Sequence, residues 1–218
     1  PPSPAPAAPQ AAPDAQKTTD LTAITVTGSA LPRIDVETPS PVQTISADQI
    51  QKSGLNTVSD VVRAISADNS GSIPASFTAG FAAGSSGVAL RGLTVNSTLV
   101  LIDGRRAASY PLADDGQRSF VDINTIPSNA IERIEVLKDG ASSLYGADAI
   151  AGVVNIILRP GYQGTEFTAE AGTSQHGGGT TKRATVLFGG GDLDKDGWNA
   201  YMSAEYQRDE RIMTRDRG

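Results

Sequence analysis

The sequence predicts an α+β domain, made of a small mixed sheet with short helices and long irregular loops, followed by antiparallel strands with the pattern of a membrane β-barrel. Between residues 40 and 160, short apolar runs typical of buried strands alternate with helical segments that begin at capping residues. After residue 165, polar and apolar residues alternate in successive short segments. A segment of low complexity precedes both regions and predicts a disordered N-terminus.

The N-terminal segment changes character near residue 20. Residues 1–20 consist largely of Pro, Ala and Gln and carry few apolar anchors, so we expect a flexible tether. Residues 21–29 form a short β-prone segment, which either stays free or becomes an edge strand of the same domain. Because the chain lacks an initial Met and a signal peptide, and stops straight after a strand-like run, we expect it to be a piece of a longer protein.

One strand and two helices are predicted between residues 42 and 65. Residues 42–45 are β-prone, and Ser46 can cap a helix that Gly54 ends. Asn56 or Thr57 can cap a second helix, which carries Val and Ile on one face. This part of the chain is therefore predicted to be of mixed α and β structure.

Four further strands are predicted at residues 88–92, 97–104, 133–138 and 152–158. The second contains the continuous apolar run expected of a central strand that is buried on both faces. Pro127 can open a helical turn, and residues 142–150 suit a short helix. Residues 69–87 and 105–119 have no hydrophobic period. We expect the first of these stretches to be a long exposed loop and the second to be irregular, and long loops in compact domains tend to carry function.

Three segments after residue 165 alternate between polar and apolar residues: 166–171, 183–188 and 198–207. One face of the third segment carries Trp198, Ala200, Met202, Ala204 and Tyr206. The eight residue steps from Trp198 to Tyr206 extend about 26 Å at roughly 3.3 Å per residue. A strand of that length, tilted by about 40°, spans the ~25 Å apolar band of a membrane barrel with an aromatic residue at each margin. An ordinary β-sandwich strand is the alternative.

Composition argues against several functional classes. The net charge of −6, without a basic run, argues against nucleic-acid binding. The chain has no cysteine, and its single histidine, His176, lies in a glycine-rich stretch, so we predict neither thiol chemistry nor a catalytic triad. No apolar run of about 18 residues is present, so we expect no transmembrane helix. The sequence therefore predicts neither an enzyme nor a bound cofactor.

Two groups of carboxylates could suggest a metal site or acid–base chemistry, but we favour a structural role for each. Residues 192–197 (DLDKDG) match the opening of an EF-hand calcium loop, but Ser203 stands where such a loop needs a bidentate carboxylate. The segment lies between strand-like runs rather than helices, so we predict a solvated hairpin turn and no metal site. Glu132 and Glu135 are three residues apart. For Glu135, in a strand-like run, we expect an ion-pair or structural role.

Four blocks of sequence resemble the plug domain of TonB-dependent outer-membrane transporters. They are VALRG (88–92), LVLIDGR (99–105), IPSNAIERIEVLKDG (126–140) and SLYGADAIAGVVNII (143–157). The blocks occur in the order and spacing of the family, and the resemblance covers residues 20–160. It implies a plug domain over residues 40–160, lodged inside a barrel of about 22 strands, with residues 165–218 as the start of that barrel.

The resemblance also implies that residues 21–29 hold the TonB box, the periplasmic segment that the energy-coupling protein TonB binds. The implied TonB-binding residues are Thr22, Ala23, Ile24, Thr25, Val26, Thr27 and Gly28. Such an extended segment adds a strand to the edge of a partner's sheet, and main-chain hydrogen bonds supply the affinity. In that conformation Ile24 and Val26 point one way, and Thr25 and Thr27 the other.

Two sets of side chains receive roles from the same resemblance. Loops 71–87 and 105–119 correspond to the plug apices that face the incoming substrate, and the side chains there that could contact a solute are Phe77, Phe81, Arg105, Arg106 and Tyr110. Packing against the barrel wall is the alternative for each. The polar positions by which a plug holds the barrel lumen are matched by Arg91, Glu132, Arg133 and Glu135. Because a lumen is wet, ion pairs there are weak enough to break under load.

The implied function is active, TonB-dependent transport of a scarce nutrient across the bacterial outer membrane, with the plug gating the barrel. The implied partners are TonB, the outer-membrane lipid around the barrel, and a small-molecule substrate such as a ferric siderophore or an oligosaccharide. The plug and N-terminus would face the periplasm. The alternative is a periplasmic plug-like binding or signalling module without transport. The strand-like runs after residue 165 count against it, because a free-standing domain has no use for lone barrel strands.

Overall fold

The computed structural model describes residues 42–55, 57–68, 71–76, 82–139, 141–173 and 179–210. These residues form two β-sheets, one within the predicted plug and one from the strand-like runs that follow it. The predicted tether (1–20), the predicted TonB box (21–29) and His176 lie outside the described residues.

The first sheet, called the mixed sheet below, has five strands among the described residues. They are β1 (Val42–Ser46), β2 (Thr98–Ile102), β3 (Arg105–Arg106), β4 (Ile131–Leu137) and β5 (Gly152–Leu158). Across the sheet the order is β1-β4-β5-β2-β3. β5 is parallel to β2 and antiparallel to β4, and β1 pairs antiparallel with β4 at one edge. The predicted mixed sheet is therefore confirmed.

Two short helices follow β1, and residues of both contribute to the main core. α1 (Ala47–Ser53) begins at Ser46, which forms a complete capping box with the first turn. α2 (Val58–Arg63) begins at Thr57, one of the two predicted caps, whose hydroxyl accepts an amide hydrogen bond from the first turn. Gly54 ends α1 with a φ of 67°, in the left-handed region that favours glycine. The predicted caps are confirmed.

Short helical turns connect the remaining strands. They are the 3-10 turns Val95–Ser97, Ile123–Thr125, Ser128–Ala130 and Ala147–Ala149, together with α3 (Ser142–Tyr145). The turn after Pro127 and the helix within residues 142–150 confirm the sequence predictions, although that helix is only four residues long.

The core occupies both faces of the mixed sheet. On one face, Val100 and Ile134 pack in the same cluster as Val62 of α2. On the other face, Leu101 and Val153 belong to a second, smaller cluster. All five side chains are at most 3 % exposed. This two-sided burial is what the continuous apolar run at residues 97–104 predicted.

The predicted strand at residues 88–92 is wrong. Leu90 forms only an isolated bridge with Asp68. The chain then turns, because Arg91 and Gly92 have φ angles of 56° and 69°, which no strand accommodates. The apolar residues of this segment are still at most 2 % exposed. They therefore fill the core without forming a hydrogen-bonded strand.

The prediction of an exposed loop at residues 69–87 is wrong for several of the described residues. Ile73 and Ser86 are at most 4 % exposed. Ile73 and Gly87 exchange two backbone hydrogen bonds of 2.8 and 3.0 Å. Gly87 lies against the ring of Phe120, where a Cβ would come within 2.7 Å of a ring carbon. This part of the loop therefore packs as a small third core.

The second sheet, called the antiparallel sheet below, has three strands within residues 164–209. They are β6 (Gly164–Gly172), β7 (Thr181–Gly190) and β8 (Ala200–Asp209), paired in that order. A one-turn helix, α4 (Leu193–Asp196), connects β7 to β8, so the predicted connection between two strands is confirmed.

The two faces of the antiparallel sheet differ in chemistry. The outward face carries Phe167, Phe188, Met202 and Tyr206, which are 60 to 70 % exposed. The opposite face of β7 carries Arg183, Thr185 and Leu187, each at most 8 % exposed. The predicted alternation after residue 165 is confirmed in β7 and β8, but Trp198, predicted as the first aromatic residue of the third strand, lies before β8. None of the helices in the described ranges is long and apolar enough to cross a membrane.

Candidate functional site

Arg105 and Arg106 form β3, the outermost strand of the mixed sheet, paired with the end of β2. Both are exposed. Nη1 of Arg106 lies 2.7 Å from Oδ2 of Asp148, and its Nη2 donates to the carbonyl oxygen of Tyr145. Because the Arg106 guanidinium already binds the segment that precedes β5, Arg105 has the freer charge of the two for an incoming solute.

Tyr110 is held in place by Phe120. The rings stack with centroids 6.0 Å apart and an interplanar angle of 4°, and the Tyr110 amide donates to the Phe120 carbonyl at 2.7 Å. Tyr110 is half-buried, so only part of its ring is available to a solute. Phe77 and Phe81, the other aromatic residues predicted to contact substrate, lie outside the described residues.

Sequence reasoning missed Asn96, which clamps the end of the loop at residues 105–119. Its Nδ2 donates to the Gln117 carbonyl and its Oδ1 accepts from the Ser119 amide, both at 3.0 Å. One primary amide thus replaces a pair of strand hydrogen bonds. The only sequence signal is an amide residue just before a buried strand, which does not identify a partner more than 20 residues away.

The tip of the same loop is a tight hairpin. The backbone groups of Asp114 and Arg118 exchange two hydrogen bonds of 2.9 Å, and the two side chains form an ion pair at 2.7 Å. Asp115 and Gly116 between them have φ angles of 54° and 69°. With the Asn96 clamp, this geometry makes the described part of the loop a preformed surface rather than a chain that must be ordered by a ligand.

Arg91 binds the main chain of its own domain. Its Nε donates to the Ala151 carbonyl at 3.1 Å, its Nη2 to the Ile150 carbonyl at 2.5 Å, and its Nη1 lies 3.3 Å from Oδ1 of Asp139. The side chain is 40 % exposed. These bonds explain how a non-glycine residue is held at positive φ, because they fix the guanidinium against the start of β5.

Glu132, Arg133 and Glu135 form one network on β4. Arg133 Nη1 lies 2.6 Å from Glu132 Oε1, and Arg133 Nε lies 2.9 Å from Glu135 Oε1. The ion-pair role predicted for Glu135 is confirmed. Its side chain is 1 % exposed, which leaves it little surface for a contact with a barrel lumen. That role stays a prediction for Arg91, Glu132, Arg133 and Glu135.

The seam between the two sheets lies at the 3-10 turn Ser128–Ala130. Arg183 of β7 donates from Nη2 to the hydroxyl of Ser128, and the Ser203 hydroxyl of β8 donates to Oδ1 of Asn129 at 2.7 Å. Sequence reasoning missed Arg183 and Ser203. Their spacing in two alternating strands gives the face on which they lie, but not the turn that they contact.

Arg159 joins the two sheets at the point where the chain passes from one to the other. Its amide donates to the Ala130 carbonyl at 2.9 Å, and its Nη1 lies 2.9 Å from Oε2 of Glu166 in β6. The guanidinium carbon lies 5.7 Å from the ring centroid of Tyr162, within cation–π range. The junction is therefore fixed by several kinds of contact at once.

The acidic string at residues 192–197 serves as a turn. Asp192 caps α4 by accepting from the amides of Asp194 and Lys195. The Lys195 side chain, 3.1 Å from Oδ2 of Asp192, and these amides hold the pKa of Asp192 below its ordinary value of 3.8. Among the residues that the structure describes, no group of three His, Asp or Glu side chains is arranged to hold a metal ion.

Comparison with known proteins gives a consistent result. The family model described as TonB-dependent Receptor Plug Domain matches residues 35–153. An iron-regulated outer membrane virulence protein of Vibrio cholerae serotype O1 is 31% identical over 151 residues, which cover 69% of this chain and 22% of that protein. The ferrienterobactin receptor of Escherichia coli K12 is 35% identical over 125 residues, which cover 55% of this chain and 16% of that protein.

The comparison with solved structures agrees with the comparison of sequences. The crystal structure of the siderophore receptor PirA from Acinetobacter baumannii superposes with a TM-score of 0.53 at 28% identity, over 77% of this chain and 24% of that chain. The chain spans only 22% and 16% of the two curated relatives described above. Because the family match extends over more than half of the sequence, this chain belongs to the TonB-dependent receptor plug domain family.

Proposed function

We propose that this chain is the plug and the first wall strands of an outer-membrane transporter that takes up a scarce solute with energy supplied through TonB. The observation that carries the proposal is the order of its parts. A domain of the plug family is followed directly by an antiparallel sheet whose outward face is apolar. The plug and N-terminus then face the periplasm, and the outward face meets the lipid.

The outward face supports a membrane location. Phe188 opposes Met202 across the β7–β8 pair, and Ala184 opposes Tyr206 two rows further along. Large apolar side chains that are more than half exposed in adjacent rows are unfavourable in water. They are the expected pattern on the lipid side of a barrel strand, whereas a polar inner face suits a wet lumen.

A periplasmic plug-like module without transport is the competing function. It has no use for an apolar outer face on three strands that leave an open edge. The coding sequence beyond residue 218 separates the two functions at once. Some 400 or more further residues in alternating strands of about 10 residues are expected for the transporter, and their absence would favour the module.

Coupling to TonB is assigned to residues 22–28, which lie outside the described residues. The segment precedes β1, the edge strand of the mixed sheet, so a pull on it acts on this domain first. The test uses a peptide of residues 18–30 and the periplasmic domain of TonB in calorimetry. Ile24→Pro removes a main-chain donor and is expected to weaken binding at least about tenfold.

Ile24→Val is the matched control for that peptide, because it keeps the amide donor and the branched side chain. It should bind as the unmodified peptide does. Equal affinity of the Pro and Val peptides would show that no strand is added at this segment, and the proposed coupling would fail.

The substrate class that we propose is an iron chelate such as a ferric siderophore, because the relatives named above are an iron-regulated protein and siderophore receptors. Arg105 supplies positive charge beside Tyr110 at the preformed loop, which suits an anionic, aromatic chelate. A strain that lacks the gene should fail to grow on a ferric siderophore as sole iron source and recover on complementation. Normal growth of that strain, with lost growth on an oligosaccharide, would reassign the substrate.

A further inference from the structure

Two half-open cavities with mixed polar and apolar linings lie along the seam between the plug and the antiparallel sheet. The first has a volume of about 370 Å³ and lies between α1 and strands β6 and β7, with Thr168 on its wall. The second has a volume of about 400 Å³ and lies between α2 and strands β7 and β8, with Gln207 on its wall. Ser128 and Arg183 line both cavities, so the bond between them stands at the boundary.

Arg183 is the most heavily bonded residue of this boundary. Its Nε and Nη2 lie 3.0 and 3.1 Å from the two carboxylate oxygens of Glu205, and its Nη1 lies 3.7 Å from Oε2 of Glu170. Its Nη2 also donates to the hydroxyl of Ser128. The Arg183 side chain is 7 % exposed and that of Glu205 21 %, so water screens this pair less than a surface pair, whereas the Glu170 side chain is 45 % exposed.

The carboxylates that pair with Arg183 both lie in its own sheet. Arg183, Glu205 and Glu170 all belong to the antiparallel sheet, and the plug contributes the neutral hydroxyl of Ser128. When the plug moves away, Arg183 keeps its paired carboxylates. The side-chain hydrogen bonds lost at this turn, from Arg183 to Ser128 and from Ser203 to Asn129, involve only neutral groups of the plug. A buried ion pair split between the plug and the strands would instead leave an uncompensated charge on each side, which is far more costly.

We propose that the Arg183–Ser128 bond is a releasable seal between the two cavities. In the closed state it divides the seam into two separate pockets. In the open state the pockets join into one passage along the boundary between the plug and the wall, wide enough for water and small ions. The proposal rests on the proposed function, because it requires the antiparallel sheet to be part of a barrel wall.

The test measures the conductance of the complete receptor in planar lipid bilayers without substrate. Ser128→Ala removes the hydroxyl and leaves the Arg183–Glu205 pair intact. Loss of one hydrogen bond to a charged group shifts a two-state equilibrium by about tenfold, so the open time of the leak should rise by about that factor. A second variant, R183L with E205L, replaces the ion pair by apolar side chains and should leak at least as much.

Thr168→Ala and Gln207→Ala are the matched controls, because each widens one cavity without touching the bridge. Both should conduct as the wild type does. Resistance of the plug to trypsin in every variant shows that the domain is folded. Wild-type conductance in Ser128→Ala and in the double variant, with trypsin resistance retained, would overturn the seal while leaving the transporter in place.

Two other outcomes also decide the matter. Equal leak in the controls and in Ser128→Ala would overturn the seal, because any widening of the seam would then suffice. Failure of the wild-type protein to insert into the bilayer would overturn both the seal and the proposed function, and this outcome is recognised before any variant is compared.

Discussion

The two sheets of this chain bury their side chains in different ways. Strands β2 and β5 of the mixed sheet have cores on both faces, whereas β7 of the antiparallel sheet buries one face and exposes the other. The mixed sheet owes its stability to packing within the protein. The antiparallel sheet has an outer face with nothing from the described chain against it. A large apolar side chain therefore stabilises the mixed sheet by packing inside the protein. On the outer face of the antiparallel sheet the same side chain has no packing partner within the described chain.

The largest expected effect comes from the glycine that begins β5, the middle strand of the mixed sheet. Gly152 has a φ of 139°, and a Cβ there would lie 2.4 Å from the Leu137 carbonyl oxygen and 2.8 Å from a Leu90 methyl carbon. Gly152→Ala should destabilise this domain by about 3 kcal/mol or more, through backbone clash and strain together. Hydrogen exchange of the β2 and β5 amides measures the loss.

Gly172→Ala provides the comparison in the antiparallel sheet. A Cβ at Gly172 would meet nothing within 4 Å. The change should stay within about 0.5 kcal/mol. If the two alanine variants cost the same, tight packing would not distinguish the mixed sheet from the antiparallel sheet.

The second effect concerns the outward face. Met202 is 68 % exposed, and in a membrane its replacement by Arg places a charge in hydrocarbon. Met202→Arg should cost about 2–4 kcal/mol of folding free energy near the bilayer midplane. The measurement is a urea titration of the complete receptor folded into lipid vesicles.

Thr168→Arg in β6 is the control, because Thr168 lines the first cavity on the inner face and lies opposite the uncharged Thr185. It should have little effect on folding into vesicles. An equal cost for the two Arg variants would mean that the outer face of the antiparallel sheet does not meet lipid.

A smaller effect is expected at the helices that cover the mixed sheet. Ser46→Ala removes the side-chain half of the capping box of α1. The expected loss is about 1 kcal/mol in the free energy of unfolding. Gln51→Ala, at an exposed position of the same helix, should change little. Equal losses would show that tertiary packing alone, and not the cap, sets where α1 begins.

The smallest effect is a pH dependence at the connection between β7 and β8. The pKa of Asp192 is lowered in the folded state, chiefly by its bond with Lys195, so its contribution is present above the ordinary value of 3.8 and is lost as the pH falls below it. The amide signals of Asp194 and Lys195 should report this loosening in an NMR titration. Asp192→Asn should abolish the pH dependence, and an unchanged titration in that variant would contradict the assignment to Asp192.

The features that the sequence predicted correctly have physical causes that act over a few residues. The caps at Ser46 and Thr57 act within three residues, and the period of two in β7 and β8 is visible along each strand. The resemblance to a family then identified the fold, which the family match supports.

The features that the sequence missed are contacts between residues that are distant along the chain. Arg183 and Ser128 are joined by folding alone, as are Asn96 and Gln117. The incorrect strand at residues 88–92 has a local cause, since two successive residues of positive φ end the extended chain where apolar character continues. A run of apolar residues indicates that the segment is buried. It does not indicate whether the backbone forms the hydrogen bonds of a strand.

The strand order of the mixed sheet also determines when a growing chain can complete it. Val42 pairs with Leu137, and Thr98 pairs with Gly152, so both early strands wait for partners made much later. Sheets closed by such non-local pairs form slowly, and until then β2 exposes apolar side chains on both faces. The mixed sheet of a nascent chain therefore stays incomplete until β4 and β5 have both been synthesised.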